Sequence, residues 1–147
     1  QMQFPVVLLL HDNRNPNSYP IGYKLALHNS MDTNYARGTD STLSVQALLK
    51  EAPEIATIEE LKAKGRRDWK VQIKKKLEKS LDDNISIGLI SKWEYRHPKT
   101  GKTYTEKTAQ RLSWDEYIIL MIDFIMTEKP DQTERRAARE AERQAKQ

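Results

Sequence analysis

The most regular pattern of apolar positions lies between Lys62 and Asp83, where Trp69, Ile73, Leu77 and Leu81 recur at intervals of four residues. This spacing predicts a helix with one apolar stripe, because side chains four residues apart lie on the same helical face. The other faces are basic, since the chain from Lys62 to Lys79 has nine Lys or Arg residues and two acids. A solvated helix face usually mixes both signs of charge. The pattern therefore favours a helix that binds a polyanion, and an ordinary solvated face is the alternative.

Before this stretch, the pattern predicts a strand followed by a helix. The apolar run Phe4 to Leu10 ends in a cluster of Asn, Pro and Ser, which predicts a buried strand and then a loop. A first helix is predicted from Ser18, with Pro20 in its first turn, and is expected to end before Gly38. Its inward face is formed by Ile21, Leu25, His28 and Met31.

Two shorter helices are then predicted from their capping signals. Ser44 is expected to cap a second helix that Pro53 stops. Thr57 and Glu60 have the spacing of a capping box, which predicts a third helix ending at Gly65. Short helices that lead into a longer basic helix across tight turns are typical of a helix-turn-helix.

After Asn84 the pattern changes from helical to extended. The residues from Ile85 to Arg96 are rich in β-forming side chains and predict a strand, with Gly88 at a bend. His97 to Tyr104 contains Pro and Gly and predicts a turn. The last apolar segment, Trp114 to Met126, combines a helix-capping signal with β-forming residues, and a strand is favoured because it would complete a hairpin.

Composition bounds the class of protein. The 147 residues suit one domain, predicted over 1–126, followed by a charged flexible or helical tail over 127–147. Cysteine is absent and no apolar run approaches the length of a membrane span, so a cytoplasmic protein is expected. Because the chain begins with Gln, a domain of a longer protein is expected. Residues 62–111 hold fifteen basic and six acidic residues, a balance of +9, which leaves −5 for the remainder.

The order of helix, helix, basic helix and β-hairpin in residues 18–126 resembles winged helix-turn-helix domains. The resemblance implies an α+β fold with three to four helices, a β-hairpin wing and a small antiparallel sheet. It also implies double-stranded DNA as the partner, with the basic helix in the major groove and the wing on the backbone or minor groove. The implied helix contacts are Arg66, Arg67, Lys70, Lys74 and Lys75, and the implied wing contacts are Arg96, Lys99, Lys102 and Tyr104.

Two sequence phrases suggest a biological setting. YPIGYKLALHNSMD and KKKLEKSLDDNISIGLISKWEY resemble replication-initiator-type proteins of bacterial plasmids and mobile elements. Arg67, Lys70 and Lys74, about one turn apart, are expected to follow one groove and to accept alanine without unfolding. Base reading is expected only from Arg66, Arg67 and Gln72, so a helix dominated by lysine predicts more contact with phosphates than with bases.

Enzymatic function is not predicted. The histidines at 11, 28 and 97 lack the spacing of a zinc site, and no phosphate-binding glycine motif or cofactor motif is present. Asp82 and Asp83 are interpreted as a helix end rather than a metal-binding pair. Two alternatives to DNA binding stay open: a winged helix that docks a partner subunit through apolar surface, and an RNA-binding domain.

Overall fold

The computed structural model of the protein describes residues 5–11, 14–31 and 41–127. Within these ranges the chain forms helices and a four-stranded antiparallel sheet, so the predicted α+β class is confirmed. The helices are α1 (Ser18–Met31), α2 (Val45–Glu51), α3 (Ile58–Ala63), α4 (Lys75–Ser86), α5 (Glu106–Ala109) and α6 (Trp114–Ile118). The strands are β1 (Ser41–Ser44), β2 (Ile90–Arg96), β3 (Thr103–Tyr104) and β4 (Met121–Met126). A π-helical segment, Lys70–Lys74, continues directly into α4, and residues 70–86 together are called the long helix.

The last strand in the chain is central in the sheet, whose order is β1-β4-β2-β3. Ile122 of β4 is opposite Leu43 on one side and Tyr95 on the other, and all three side chains are buried. The polar neighbour Asp123 holds the same three strands together, because it accepts hydrogen bonds from Thr42 Oγ1 at 2.6 Å and Arg96 Nε at 2.8 Å. A core of apolar residues therefore lies on one face of strands that are far apart in sequence.

The helix starts predicted at Ser44 and Thr57 are confirmed, and a third capped start lies at Ser113, where a strand had been favoured. Ser44, Thr57 and Ser113 each accept a hydrogen bond from the backbone nitrogen three residues further on, at 3.0, 3.2 and 3.3 Å. Such caps satisfy backbone donors that have no partner within the helix. Two glycines end helices: Gly65 follows α3 with a φ of 69°, and Gly88 follows the long helix with a φ of 84°. Only glycine adopts this conformation without strain.

The apolar stripe predicted for the basic segment forms the contact between the long helix and the rest of the fold. Ile73, Leu77 and Leu81 are fully buried, and Trp69 is partly buried against the core. α1 packs closely on this face at Gly22, where a Cβ atom would lie only 2.2 Å from Asn84 Oδ1. The Asn84 side chain is fixed in turn, because its Nδ2 donates to the backbone oxygens of Ser18 and Ser80. Gly22 is therefore required by close packing.

The prediction of an N-terminal strand was wrong. Val6–Leu10 forms a short 3-10 helix instead of a strand. Leu8 alone is buried in it, whereas Leu9 and Leu10 are each 67% exposed. Leu8 alone anchors this segment to the core, and its neighbours do not show the alternating burial of a strand. An apolar run of this length does not by itself distinguish the two structures.

Two other boundaries also differ from prediction. The long helix continues to Ser86, so the strand predicted from Ile85 begins only at Ile90. The strand predicted over Trp114 to Met126 is divided into α6 and β4, because the capping box at Ser113 starts a helix that ends at Ile118. The predicted returning strand is confirmed for β4. No helix within the described residues has the length and apolar character needed to cross a membrane. Residues 128–147 of the predicted tail lie outside the described ranges.

Candidate nucleic-acid interface

The turn before the long helix carries a pair of adjacent arginines in different environments. Arg66 donates to both carboxylate oxygens of Asp68, from Nε at 3.1 Å and from Nη2 at 2.7 Å. Arg67 is exposed and makes no ion pair or hydrogen bond within the described structure through its side chain. Asp68 also accepts from Gln72 Nε2 at 3.2 Å, and the bonds from Arg66 and Gln72 lower its pKa. Its backbone oxygen begins the long helix by accepting from Val71 and Gln72.

Lysines lie on the outward face of the long helix. Lys75 and Lys76 are exposed and have no acidic partner among the described residues. Lys79 is 3.7 Å from Asp83, but its side chain is 69% exposed, so this pairing is weak. The ammonium of Lys70 lies 5.7 Å from the centre of the Trp69 ring and is within reach of a cation–π interaction. The first turns of the long helix therefore present several cations to solvent.

Lys74 is not one of these cations, and the prediction that it faces DNA was wrong. Its side chain is 1% exposed, and its Nζ lies 2.6 Å from Glu78 Oε2. The same ammonium donates to the backbone oxygen of Glu106 at 2.9 Å and to Gln110 Oε1 at 2.8 Å. The buried face of the long helix is wider than the predicted stripe, because α5 and the residue after it cover this flank.

The ion pair of Lys74 belongs to a buried polar network that reaches the sheet and α6. The Tyr95 hydroxyl donates to Glu78 Oε2 at 2.9 Å and lies 3.0 Å from the Tyr117 hydroxyl. Burial raises the pKa of Glu78, an effect that Lys74 opposes by stabilising the ionised carboxylate. Burial also raises the pKa of both tyrosines well above the ordinary value. The tyrosines therefore stay neutral and act as hydrogen-bonding groups.

Every acid between residues 62 and 83 is engaged inside the molecule. Asp68 and Glu78 pair with Arg66 and Lys74, which cancels two of the positive charges. Asp82 accepts from Trp93 Nε1 at 2.9 Å. Asp83 accepts from Asn15 and Ser18, at 2.9 and 2.7 Å. Among the exposed cations of this region, Arg67, Lys75 and Lys76 face solvent without an acidic partner in the described residues, and Lys70 is half-buried.

The predicted wing is a hairpin between β2 and β3 whose turn is organised by His97. The His97 Nδ1 atom accepts from the backbone nitrogens of Lys99 and Thr100, each at 3.1 Å. Gly101 closes the turn with a φ of 74°. Lys99 and Lys102 are exposed on this turn. Composition marked the turn through Pro98 and Gly101, but the role of His97 was not foreseen.

Two other predicted wing residues have structural partners. Arg96 lies in the sheet, and its hydrogen bond to Asp123 raises the pKa of the guanidinium. Tyr104 is half-buried, with Lys102 Nζ 5.1 Å from the centre of its ring. The tip of the hairpin therefore offers Lys99 and Lys102 as its unpaired cations, whereas Arg96 is committed to holding β2 against β4.

Helix α5 connects the long helix to the hairpin. Its first residue supplies the backbone oxygen that Lys74 binds, and the helix packs against β2 and β3. The chain between the hairpin and α6 is not a plain loop, because α5 occupies part of it. Sequence reasoning missed the contributions of Glu78, Gln110 and Glu106. The one available signal was the spacing of Lys74 and Glu78, which are four residues apart with opposite charge.

Glu106 of α5 gives the fold a pH dependence that can be measured. Partial burial, together with the nearby Asp82 carboxyl group, raises the pKa of Glu106 from its ordinary value of 4.5 to about 7. The folded protein therefore holds this proton where the unfolded chain releases it, and the associated stability is complete below pH 4.5 and lost as the pH rises through 7. Because the residue is largely exposed, we expect a loss of at most about 1 kcal/mol.

This expectation is checked by urea unfolding at several pH values between these limits. Glu106→Gln cannot ionise and should remove that part of the pH dependence, making the variant more stable than the parent at the upper end of the range. Glu59→Gln, on the exposed surface of α3, is the matched control for the loss of one carboxylate. Parallel pH profiles for the parent and Glu106→Gln would contradict the assignment.

Comparison of the chain with protein-family models, with curated proteins and with solved structures yields no match. Within the described residues, no cluster of His, Asp and Glu side chains has the arrangement of a metal site. The candidate interface is therefore defined by its own geometry: the turn at Arg66 and Arg67, the exposed lysines of the long helix, and the hairpin tip at Lys99 and Lys102.

Proposed function

We propose that the protein is a winged helix-turn-helix domain that binds double-stranded DNA. The observation that carries the proposal is the uncompensated positive charge at the start of the long helix. Its acids are paired internally, and the exposed Lys75 and Lys76 have no acidic partner among the described residues. Exposed cations of this kind bind phosphates and release condensed counterions, which gives affinity that depends strongly on salt.

The arrangement of elements supports the same proposal. α3 and the long helix are joined by a tight turn, as in a helix-turn-helix, and a basic hairpin follows. In that class of domain the N-terminal part of the second helix contacts the base edges. Here that part contains Lys70 and Lys75, and Arg67 lies in the turn just before it. A role in replication or regulation of a mobile element is the biological setting that we propose from the sequence resemblance.

Fluorescence anisotropy with a short labelled duplex tests the proposal. Affinity should fall steeply as salt rises from about 50 to about 200 mM. Lys75→Ala with Lys76→Ala should make the slope of log affinity against log salt shallower by about 1 to 2 units, since each phosphate contact contributes roughly 0.9. Lys99→Ala with Lys102→Ala should have a similar effect if the hairpin contacts the DNA phosphates.

A matched control removes the same charge from elsewhere. Lys24→Ala with Lys50→Ala takes two positive charges from α1 and α2, and α1 packs on the buried side of the long helix. This variant should keep the parent slope. Equal slopes for the control and the Lys75/Lys76 variant would show that net charge alone drives binding and would remove the long helix from the interface.

A second candidate, docking of a partner protein, is favoured by an apolar groove. The groove has a volume of about 430 Å³ and lies among α2, α3, α6 and the start of the long helix. Its apolar lining includes Leu49, Ile55, Ile58, Ile73, Trp114 and Ile118. Apolar docking would be insensitive to salt. A parent protein that fails to bind either duplex or RNA at low salt would make this second function the leading one.

A further inference from the structure

The guanidinium of Arg66 is held in one orientation before any ligand arrives. Asp68 binds it through two parallel hydrogen bonds, from Nε to Oδ1 and from Nη2 to Oδ2, at 3.1 and 2.7 Å. Gln72 donates to the same carboxylate from the first turn of the long helix, at 3.2 Å. The carboxylate is thereby fixed from two sides, and a side chain that would otherwise sample many rotamers is restricted.

This pairing leaves the other edge of the guanidinium free. An arginine has five N–H donors in a planar fork, and the contacts with Asp68 use the N–H of Nε and one N–H of Nη2. The second N–H of Nη2 and those of Nη1 lie on the outer edge of the same plane. The Arg66 side chain is 48% exposed, and no hydrogen bond within the described residues occupies this outer edge.

Two parallel donors on a planar edge match the two acceptors of guanine. Guanine presents O6 and N7 in the major groove, and bidentate arginine is the commonest contact to this pair. Arg66 is positioned for the contact because it lies in the turn that leads into the long helix and is tied to Gln72 of its first turn through Asp68. Residues at the start of a recognition helix contact base edges. Holding the side chain in advance lowers the ordering cost of binding.

We propose that Arg66, oriented by Asp68, is a specificity-determining residue that reads one guanine in the major groove. This inference rests on the proposed DNA-binding function. It assigns the two arginines different tasks: Arg66 distinguishes bases, and the unrestrained Arg67 contacts phosphate. Asp68 is a positioning residue that does not touch the DNA. The lysines of the long helix then supply affinity for any duplex. The contact between Arg66 and one G·C pair supplies much of the sequence selectivity.

The test begins with selection of duplexes from a randomised pool by the parent protein at moderate salt. The selected sites should share a G·C pair whose replacement by A·T weakens binding about 5- to 150-fold, the range for a good bidentate contact. Replacing that guanine with 7-deazaguanine, which lacks the N7 acceptor, should weaken binding by the parent. The same replacement should have no effect on Arg66→Ala, because the contact is already gone.

Asp68→Asn separates orientation from charge. If Asp68 acts only as a negative charge, its removal should strengthen binding to every duplex without changing base preference. If it orients Arg66, the variant should lose most of its preference for guanine while its salt slope stays at or above that of the parent. Arg67→Ala is the matched control, which should make the salt slope shallower and keep the guanine preference. Circular dichroism confirms that each variant is folded.

The outcomes separate the two levels of the proposal. A parent protein that binds no duplex at low salt would overturn the DNA-binding function and the base assignment together. A parent that binds DNA without a guanine preference, or an Asp68→Asn variant that keeps the full preference, would overturn the base assignment alone. Sensitivity to 7-deazaguanine that persists in Arg66→Ala would also overturn it.

Discussion

Replacing Lys74 with alanine is expected to lower the free energy of unfolding by about 3–5 kcal/mol. The variant would leave Glu78 buried without its cation, and Gln110 and the Glu106 carbonyl would lose their donor. Removing one partner of a buried pair is costly, because the remaining charge cannot regain its hydration. Urea unfolding and thermal melting measure the effect, and the Tm should fall by more than about 10 °C.

Two comparisons show that the loss comes from the buried charge. Lys75→Ala removes a neighbouring exposed lysine and should change stability by less than about 0.5 kcal/mol. Replacing both partners, Lys74→Met with Glu78→Leu, should recover most of the loss, since apolar residues of similar size avoid an isolated charge. A Lys74→Ala variant as stable as the parent would contradict the buried position of this lysine.

The buried position of Lys74 also changes how the proposed DNA-binding face has to be tested. Alanine at Arg67, Lys70 and Lys74 together was expected to leave the fold intact, but Lys74 is part of the core. Weakened binding by that triple variant would therefore report unfolding as much as lost contacts. Lys75 and Lys76 are the appropriate substitutions, because both are exposed and neither has a partner in the described structure.

Features that depend on a few neighbouring residues could be predicted from the sequence. The caps at Ser44 and Thr57 are local hydrogen bonds, and the glycine at position 65 follows the helix it ends. The stripe from Trp69 to Leu81 was also predictable, because one helical face needs only a repeated spacing. These features place the start of the candidate interface and the side of the helix that is buried.

Features that depend on distant residues could not be predicted. Lys74 is buried by Glu106 and Gln110, more than thirty positions away in the chain. The guanidinium of Arg96 is occupied by Asp123, which belongs to a strand that pairs only in the finished sheet. A basic residue has the same appearance in the sequence whether it faces solvent or binds a carboxylate. The number of free cations at the interface was therefore overestimated.

Ambiguous apolar segments show the same limitation in secondary structure. Trp114 to Met126 contains both a capping box and β-forming residues, and the protein uses each signal in turn, as α6 and then as β4. The division is fixed by packing, because Tyr117 has to reach Tyr95 while Ile122 and Phe124 enter the core. Local propensity allows both a helix and a strand here, and only the tertiary contacts decide where the helix ends and the strand begins.

Replacing Trp69 with alanine is expected to cost about 2–4 kcal/mol of stability, less than for a fully buried tryptophan because the ring is partly exposed. Trp69 lies between the turn at Arg66 and Arg67 and the long helix, so its ring packs against the core where that helix begins. It contacts Trp114 edge-on with ring centres 5.3 Å apart, and it lies 5.2 Å from the Tyr117 ring. The loss should appear as a lower urea midpoint.

A double-mutant cycle shows whether the loss of stability comes from the contact between the Trp69 and Trp114 rings or only from the burial of Trp69. Trp69→Ala, Trp114→Ala and the double variant should show a coupling free energy of about 0.5–1.5 kcal/mol, the range for aromatic pairs. Trp69→Phe keeps an aromatic ring and should retain more stability than Trp69→Ala. If the two alanine substitutions are strictly additive, the rings do not stabilise each other. The start of the long helix would then be set by Asp68 and its capping carbonyl, without support from α6.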